Sequence, residues 1–314
     1  MLKPSSAPLH HVYDAALLDL DGVLYLGPEP VPHAKEAVAA ARAAGMRAAF
    51  VTNNSARRAP EVARHLTELG IVAEPHDVVT SSQAAVRLLR ARLAPGALVL
   101  VVGSQGLADE VAEGGLTPTR TAEGAAAVVQ GLEPRTAWSD LAEAAVAIEA
   151  GALWVAGNTD ATYPSPRGLL PGNGAMVQAL VHTTGKRPLV VGKPEPELFA
   201  ASVERVQAKA PLVIGDRLDT DIVGATRAGL PSLLVLTGVT TRQELLDAAP
   251  DHRPAYVSSD LRGLNEPHPE VTVRDGRASC REASAWWDGE VRGSDDSDDA
   301  LRAMCALAWV RSGG

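Results

Sequence analysis

A chain of 314 residues exceeds one ordinary compact domain and suits two; its 46% hydrophobic content supplies real cores and excludes wholesale disorder. The formal charge of −9 comes without a Lys/Arg cluster, so nothing draws the chain to a polyphosphate backbone and nucleic acid is not an expected partner. Two cysteines, Cys280 and Cys305, rule out a disulfide framework and suit a reducing cytosol. The first residues, MLKPSSAPLHHVYD, lack the apolar stretch of a signal peptide. No apolar run approaches the roughly 20 residues that span a bilayer, so a cytoplasmic protein with no membrane partner is expected.

Ala15–Leu18 reads as the first strand, and it runs directly into Asp19-Leu20-Asp21-Gly22. Open α/β sheets hold their ligands at the C-terminal ends of their strands. Two carboxylates about 4 Å apart repel by ~4 kcal/mol at an effective dielectric of about 20, a strain that a cation or a shared proton relieves. A lone pair of this kind is also an ordinary strand-to-turn junction. A helix over Ala34–Ala44, stopped by Gly45, leads to a second strand at Arg47–Val51. That strand ends in Thr52-Asn53-Asn54, a hydroxyl and two amides that can donate to phosphate oxygens or simply cap a turn.

A helix over Glu61–Leu69 follows, and short apolar runs at Ala97–Val102, Ala126–Gln130 and Leu153–Ala156 continue the alternation. Strand-then-helix order predicts parallel strands with helices on both faces, because parallel neighbours need crossover connections. The Pro/Gly-rich stretch Thr162–Gly174 and the one at Gly185–Pro188 read as loops. They predict an inserted segment over 83–185, between the two halves of a first domain at 1–82 and 186–263.

Leu189–Val191 is the next strand, ending in Gly192-Lys193-Pro194. Proline biases Lys193 toward an extended backbone and can open a helix at its first position. A lysine fixed at a strand end suits a phosphoryl group. The strand Leu212–Ile214 then runs into Gly215-Asp216-Arg217-Leu218-Asp219-Thr220-Asp221, where Asp216 stands after its strand as Asp19 does after the first. Oxygen donors without His or Cys indicate a hard cation, Mg²⁺ before Zn²⁺. Asp219 reads as a helix cap or surface acid.

A strand at Leu233–Leu236 closes this pattern, and the texture changes over 264–314. Val271–Val273 and Ala278–Cys280 flank an Arg-Asp-Gly-Arg turn and read as a hairpin. Asp295, Asp296, Asp298 and Asp299 read as a solvated loop. Leu301–Val310 reads as an amphipathic helix capped by Asp298 or Asp299. This accessory element carries no chemical motif.

Taken together, DLDGV at 19–23, TNN at 52–54, GKP at 192–194 and GDRLDTD at 215–221 resemble the four signature motifs of the haloacid dehalogenase superfamily, in its phosphatase branch. With the long insert between the second and third motifs, the chain is similar to the subfamily with a C2-type cap. That group holds NagD-like nucleotide phosphatases and the phosphoglycolate, pyridoxal-phosphate and glycerol-phosphate phosphatases. The resemblance implies an α/β fold: a Rossmann-like parallel sheet core, an inserted α/β cap and a small C-terminal extension.

The resemblance also implies roles. Asp19 would attack phosphorus and bind Mg²⁺. Asp21 would protonate the leaving alcohol, activate water, and face the metal through its backbone carbonyl. Thr52, Asn53 and Lys193 would hold phosphoryl oxygens, with Asn54 a further candidate. Asp216 would be a direct metal ligand, and Asp221 would hold a metal-bound water. Asn158, Asp160 and Arg167 are the cap residues expected to contact substrate, though each could equally satisfy loop backbone.

The expected activity is hydrolysis of a small phosphorylated metabolite through an aspartyl-phosphate. Glycerol 3-phosphate or 2-phosphoglycolate stands first, a nucleoside monophosphate or pyridoxal phosphate next. The non-enzyme alternative is a phospho-acceptor switch, against which Asp21 stands as a base that would speed dephosphorylation. Caps of this type often pair in related proteins, so a homodimer is compatible with the resemblance.

Overall fold

The computed structural model describes residues 2–165 and 167–313. Its contacts divide the chain into two compact units. The first gathers the residues up to Val51, Ala63–Asp77 and those from Ser202 onward; the second holds Thr52–Val62 and Val78–Ala201.

The first unit is built on parallel strands in the order Tyr256–Ser258, Ser232–Val235, Pro211–Gly215, Ala15–Leu18, Arg47–Thr52. The first four of these are buried along their whole length. A parallel strand covered on both faces has no polar side to present, which is why these segments read as unbroken apolar runs.

The C-terminal residues belong to this unit and are larger than a hairpin. Thr272–Arg274, Arg277–Cys280, Ala283–Trp287 and Val291–Gly293 form a four-stranded antiparallel sheet. The helix Asp298–Arg311 is apolar on two sides. Leu301, Cys305 and Trp309 pack with Ile222, Leu234, Leu245 and Val257 over the parallel sheet, while Ala303 and Leu307 pack with Ala278, Cys280 and Ala285 of the small sheet.

The cap of this helix is Ser297, whose Oγ accepts from the Ala300 N–H at 3.1 Å, and not Asp298 or Asp299. Asp298 is drawn away to the Ser258 hydroxyl at 2.7 Å and the Ser259 N–H at 3.0 Å. Asp299 receives the buried Arg302 guanidinium at 2.6 Å. Two of the four acids expected in a solvated loop are therefore partners of buried or half-buried groups.

The second unit has its own parallel sheet, in the order Leu189–Val190, Leu153–Ala156, Ala127–Gln130, Leu98–Val102, Thr117–Thr119. Leu100, Val128, Ile148, Trp154 and Val177 form the centre of its core. The Trp154 indole N–H donates to the buried Gln130 Oε1 at 3.2 Å, so burial leaves it satisfied.

Thr162–Gly174, expected as loop, contains the antiparallel strands Thr162–Ser165 and Gly168–Pro171 and the start of the helix Asn173–Thr184. All four residues of Gly168–Pro171 are exposed. That strand, exposed along its length, leaves no buried-and-exposed alternation to read. Among the described residues no helix is long and apolar enough to cross a membrane.

Candidate active site

In the first unit, sheet register brings the acids together. Ala15–Leu18 and Pro211–Gly215 are neighbours with Leu18 opposite Ile214, and the Asp19 N–H donates to the Ile214 carbonyl at 2.9 Å. Asp19 and Asp216 therefore leave adjacent strand ends together. Asp221 returns through a π-helical turn over Leu218–Ile222, in which the Ile222 N–H reaches back five residues to the Arg217 carbonyl at 3.2 Å. Such turns recur at functional sites. The Arg217 N–H holds Asp221 Oδ2 at 3.2 Å.

Carboxylate oxygens of Asp19, Asp216 and Asp221 lie within 4.8 Å of one another. Asp216 and Asp221 are each 1% exposed. At such spacing each pair of ionised carboxylates repels by several kcal/mol, at an effective dielectric of about 20. Burial removes the water that would screen them, so the trio demands a cation. Its donors are oxygen only, a set that fits a hard ion such as Mg²⁺.

Asp21 is exposed and its carboxylate is not one of the trio. It sits at the turn that the Gly22 N–H closes on the Tyr25 carbonyl at 2.8 Å. Asp219 also stands outside the trio, its side chain 62% exposed and paired with Arg217 at 2.8 Å. The hydrogen bond from that guanidinium holds its carboxyl below the ordinary carboxylate range. Surface acid is the right description of it.

The second unit collects the neutral and basic candidates. Asn53 and Lys193 pair reciprocally: the Lys193 N–H donates to Asn53 Oδ1 at 2.7 Å, and Asn53 Nδ2 donates to the Lys193 carbonyl at 3.1 Å. The Asn53 carbonyl in turn receives the Ser81 hydroxyl at 2.7 Å and Asn158 Nδ2 at 2.8 Å. Asn158 is 4% exposed; its Oδ1 accepts from the Asp160 N–H at 3.2 Å, and its carbonyl from Asn173 Nδ2 at 2.7 Å.

Lys193 is itself only 4% exposed. The Lys193–Pro194 bond is cis, and the following helix opens at Pro196, not at Pro194 as expected. Thr52 is buried and its Oγ1 accepts from the Asn54 N–H at 3.1 Å, while Asn54 Oδ1 accepts from the Ala56 N–H at 2.8 Å. Arg167 is exposed at the hairpin turn, and Asp160 is half-buried.

The structure thus joins Asn53, Lys193 and Asn158 in one hydrogen-bonded network, and Asp19, Asp216 and Asp221 in one carboxylate cluster. Sequence reasoning missed two supporting groups. The Val239 N–H donates to Asp216 Oδ2 at 2.6 Å, and Ser81 helps hold the Asn53 carbonyl. Val239 had a readable signal: the Leu233–Leu236 run ends at the same edge of a parallel sheet as Leu18 and Ile214. Ser81 had none, since a serine opening a helix is ordinary.

The profile described as haloacid dehalogenase-like hydrolase matches residues 16–117, and a second, HAD-hydrolase-like profile matches 190–264. D-glycerol 3-phosphate phosphatase of Mycobacterium tuberculosis is 48% identical over 306 residues, 95% of this chain and 86% of that protein. An acid sugar phosphatase of Staphylococcus haemolyticus is 34% identical over 79% of this chain and 94% of its own length.

Among solved structures, the magnesium complex of the Mycobacterium tuberculosis glycerol phosphate phosphatase superposes with a TM-score of 0.86 at 47% identity, covering 97% of this chain and 92% of the other. A p-nitrophenyl phosphatase from Archaeoglobus fulgidus gives a TM-score of 0.75 at 29% identity, covering 80% and 98%. With both profiles matched and a relative this similar along nearly its whole length, the chain belongs to the haloacid dehalogenase-like hydrolase family and is one of its phosphatases.

Proposed function

We propose that this phosphatase hydrolyses glycerol 3-phosphate, with Asp19 as nucleophile. The observation that carries the substrate is the 48% identity to D-glycerol 3-phosphate phosphatase over 95% of the chain. The roles rest on the carboxylate cluster and the resemblance of the motifs.

Asp19, Asp216 and Asp221 would hold Mg²⁺, with the Asp21 carbonyl contributing from the backbone. When bound, that ion supplies positive charge against the transferring phosphoryl group. An Asp19 oxygen forms a bond to phosphorus as the bond to the glycerol oxygen breaks, and Asp21 gives that oxygen its proton. Asp21, now a carboxylate, takes a proton from water as the water attacks phosphorus, freeing Asp19 and inorganic phosphate. Exposure of Asp21 suits a group that must meet both an alcohol and water.

Lys193 and Thr52 are assigned to the phosphoryl oxygens, with Asn54 beside them. Asn53 is assigned to the phosphoryl oxygens with them, and also to holding Lys193, because both ends of its amide are bonded to the Lys193 backbone. Asn158 supports Asn53 through one bond, its Nδ2 donating to the Asn53 carbonyl. Asp160 and Arg167 are assigned to the glycerol end of the substrate, on a cap that spans 83–185. A cytoplasmic homodimer completes the proposal; light scattering in solution tests the dimer.

A panel of esters scored by kcat/KM with Mg²⁺ tests the substrate. Glycerol 3-phosphate should exceed 2-phosphoglycolate, UMP, AMP and pyridoxal phosphate. Preference for UMP or AMP would overturn it.

A further inference from the structure

The loop after the strand Ser232–Val235 touches both halves of the acid motif. Thr237 Oγ1 donates to the carbonyl of Gly22, the residue after Asp21, at 2.5 Å. Two residues on, the Val239 N–H donates to Asp216 Oδ2 at 2.6 Å, and the Thr240 N–H donates to the Asp216 carbonyl at 3.2 Å.

Gly238 stands between these contacts. A Cβ added there would lie 2.0 Å from Asp216 Oδ2 and 2.8 Å from the Gly22 Cα. Its backbone is outside the left-handed region, so space, not conformation, requires glycine. Gly22 makes the same allowance from the other side: its Cβ would lie 2.4 Å from Asp216 Oδ2. The Asp216 carboxylate is thus enclosed between two glycines, with one oxygen pinned by an N–H.

A second tie reaches the loop from the C-terminal extension. The Leu236 N–H donates to the Ser258 carbonyl at 3.2 Å, and the Ser258 hydroxyl donates to Asp298 Oδ2 at 2.7 Å. The root of the loop and the first turn of the last helix therefore share Ser258.

We propose that Thr237, Gly238 and Val239 form a positioning clamp, tying the Asp216 carboxylate to the turn that carries Asp21. The clamp rests on the reading of Asp19, Asp216 and Asp221 as a Mg²⁺ site. It orients one ligand before the ion arrives, so that binding need not order it. Outer contacts of this kind change metal affinity by about 10- to 100-fold when lost.

Calorimetric titration with Mg²⁺, without substrate, is the test, accompanied by melting in EDTA and by kcat and KM for p-nitrophenyl phosphate. Thr237→Val should bind Mg²⁺ about 10-fold more weakly and lower kcat more than it raises KM, with melting in EDTA unchanged. Thr237→Ser, which keeps the hydroxyl, should behave as wild type. Gly238→Ala should weaken Mg²⁺ binding by about 100-fold.

Wild-type Mg²⁺ affinity in Thr237→Val overturns the clamp, and so does a Thr237→Ser protein as impaired as the valine variant. If Thr237→Val does not fold, Gly238→Ala decides alone: loss of Mg²⁺ by a folded protein supports the clamp and retention overturns it. Asp216→Asn separates the two readings. If it binds Mg²⁺ as wild type does, the cation site falls and the clamp with it. If it loses Mg²⁺ while both clamp variants keep it, only the clamp falls.

Discussion

The two parallel sheets are alike in architecture and opposite in the chemistry of their strand ends. In the first unit, Leu18 and Gly215 hand over to Asp19 and Asp216, and Asp221 folds back to join them. In the second unit, the corresponding ends carry Ser104, Gln130, Asn158 and Lys193, amides, a hydroxyl and one cation, all buried. One set gathers negative charge and selects a cation. The other uses neutral dipoles to fix a backbone and adds the buried positive charge of Lys193, as suits an anion. A shared fold therefore does not set the chemistry; the residues seated at the strand ends do.

The sharpest break of this contrast is removal of Asp19, the proposed nucleophile. Asp19→Asn should lower kcat by about 10⁴-fold or more, measured as p-nitrophenyl phosphate turnover, with no acid-stable phosphoenzyme formed. Substantial turnover would place the attack elsewhere. Asp216→Asn removes one negative charge from the cluster and should weaken Mg²⁺ binding by about 10³-fold, the equivalent of ~4 kcal/mol for a charge pair at about 4 Å. Calorimetry checks it, and Asn53→Ala is the matched variant in the other unit.

That second variant should sharpen the comparison. Loss of the Asn53 amide removes both of its bonds to the Lys193 backbone, and kcat should fall by about 10- to 100-fold. Mg²⁺ affinity should stay at the wild-type value. A fall in Mg²⁺ affinity would mean that the amide network and the carboxylates do not divide the work as described.

Stability should also divide unevenly, because the buried titratable histidine lies in the first unit. His268 is 1% exposed, hydrogen-bonded to the Gly263 carbonyl at 2.8 Å. Burial lowers its pKa from the ordinary 6.5 to about 4, with Arg302 adding to the shift and Asp298 and Asp299 opposing it. The unfolded chain then takes a proton that the folded chain refuses. Stability from this group is intact above pH 6.5 and falls as pH drops from 6.5 toward 4, by a total of about 3 kcal/mol. Urea melts across that range should show the slope, and His268→Gln should flatten it. An unchanged slope in the variant would assign the effect to other groups.

Asp298→Asn makes the smallest change, weakening the bonds that the first turn of the last helix makes to Ser258 and Ser259. A loss of about 2 kcal/mol is expected for weakened bonds to a charged group, read as a lower urea midpoint.

Much of this was legible in the sequence. Ala15–Leu18 and Leu153–Ala156 form strands over the expected residues, because a buried parallel strand is an unbroken apolar run. Asp19 and Asp216 were legible for the same reason, each standing just after such a run, and Asp221 only through the motif that follows Asp216. The hairpin over Thr162–Ser165 and Gly168–Pro171 was not, since its exposed strand shows no apolar face. Of the two added strands of the C-terminal sheet, Ala283–Trp287 opens on alternating Ala and Ser, a weak apolar signal, and Val291–Gly293 is three residues long. Ser297 lost the capping role in sequence reasoning to acids that tertiary contacts draw elsewhere. The commitment of Asn53 to Lys193 depends on residues 140 positions apart, a pairing that composition and spacing do not carry.

Crystals grown with Mn²⁺ in place of Mg²⁺ would test the cation site most directly, by anomalous scattering. The account predicts one strong peak bonded to carboxylate oxygens of Asp19 and Asp216, with Asp221 beside it. A peak elsewhere, with those carboxylates uninvolved at saturating Mn²⁺, would contradict it.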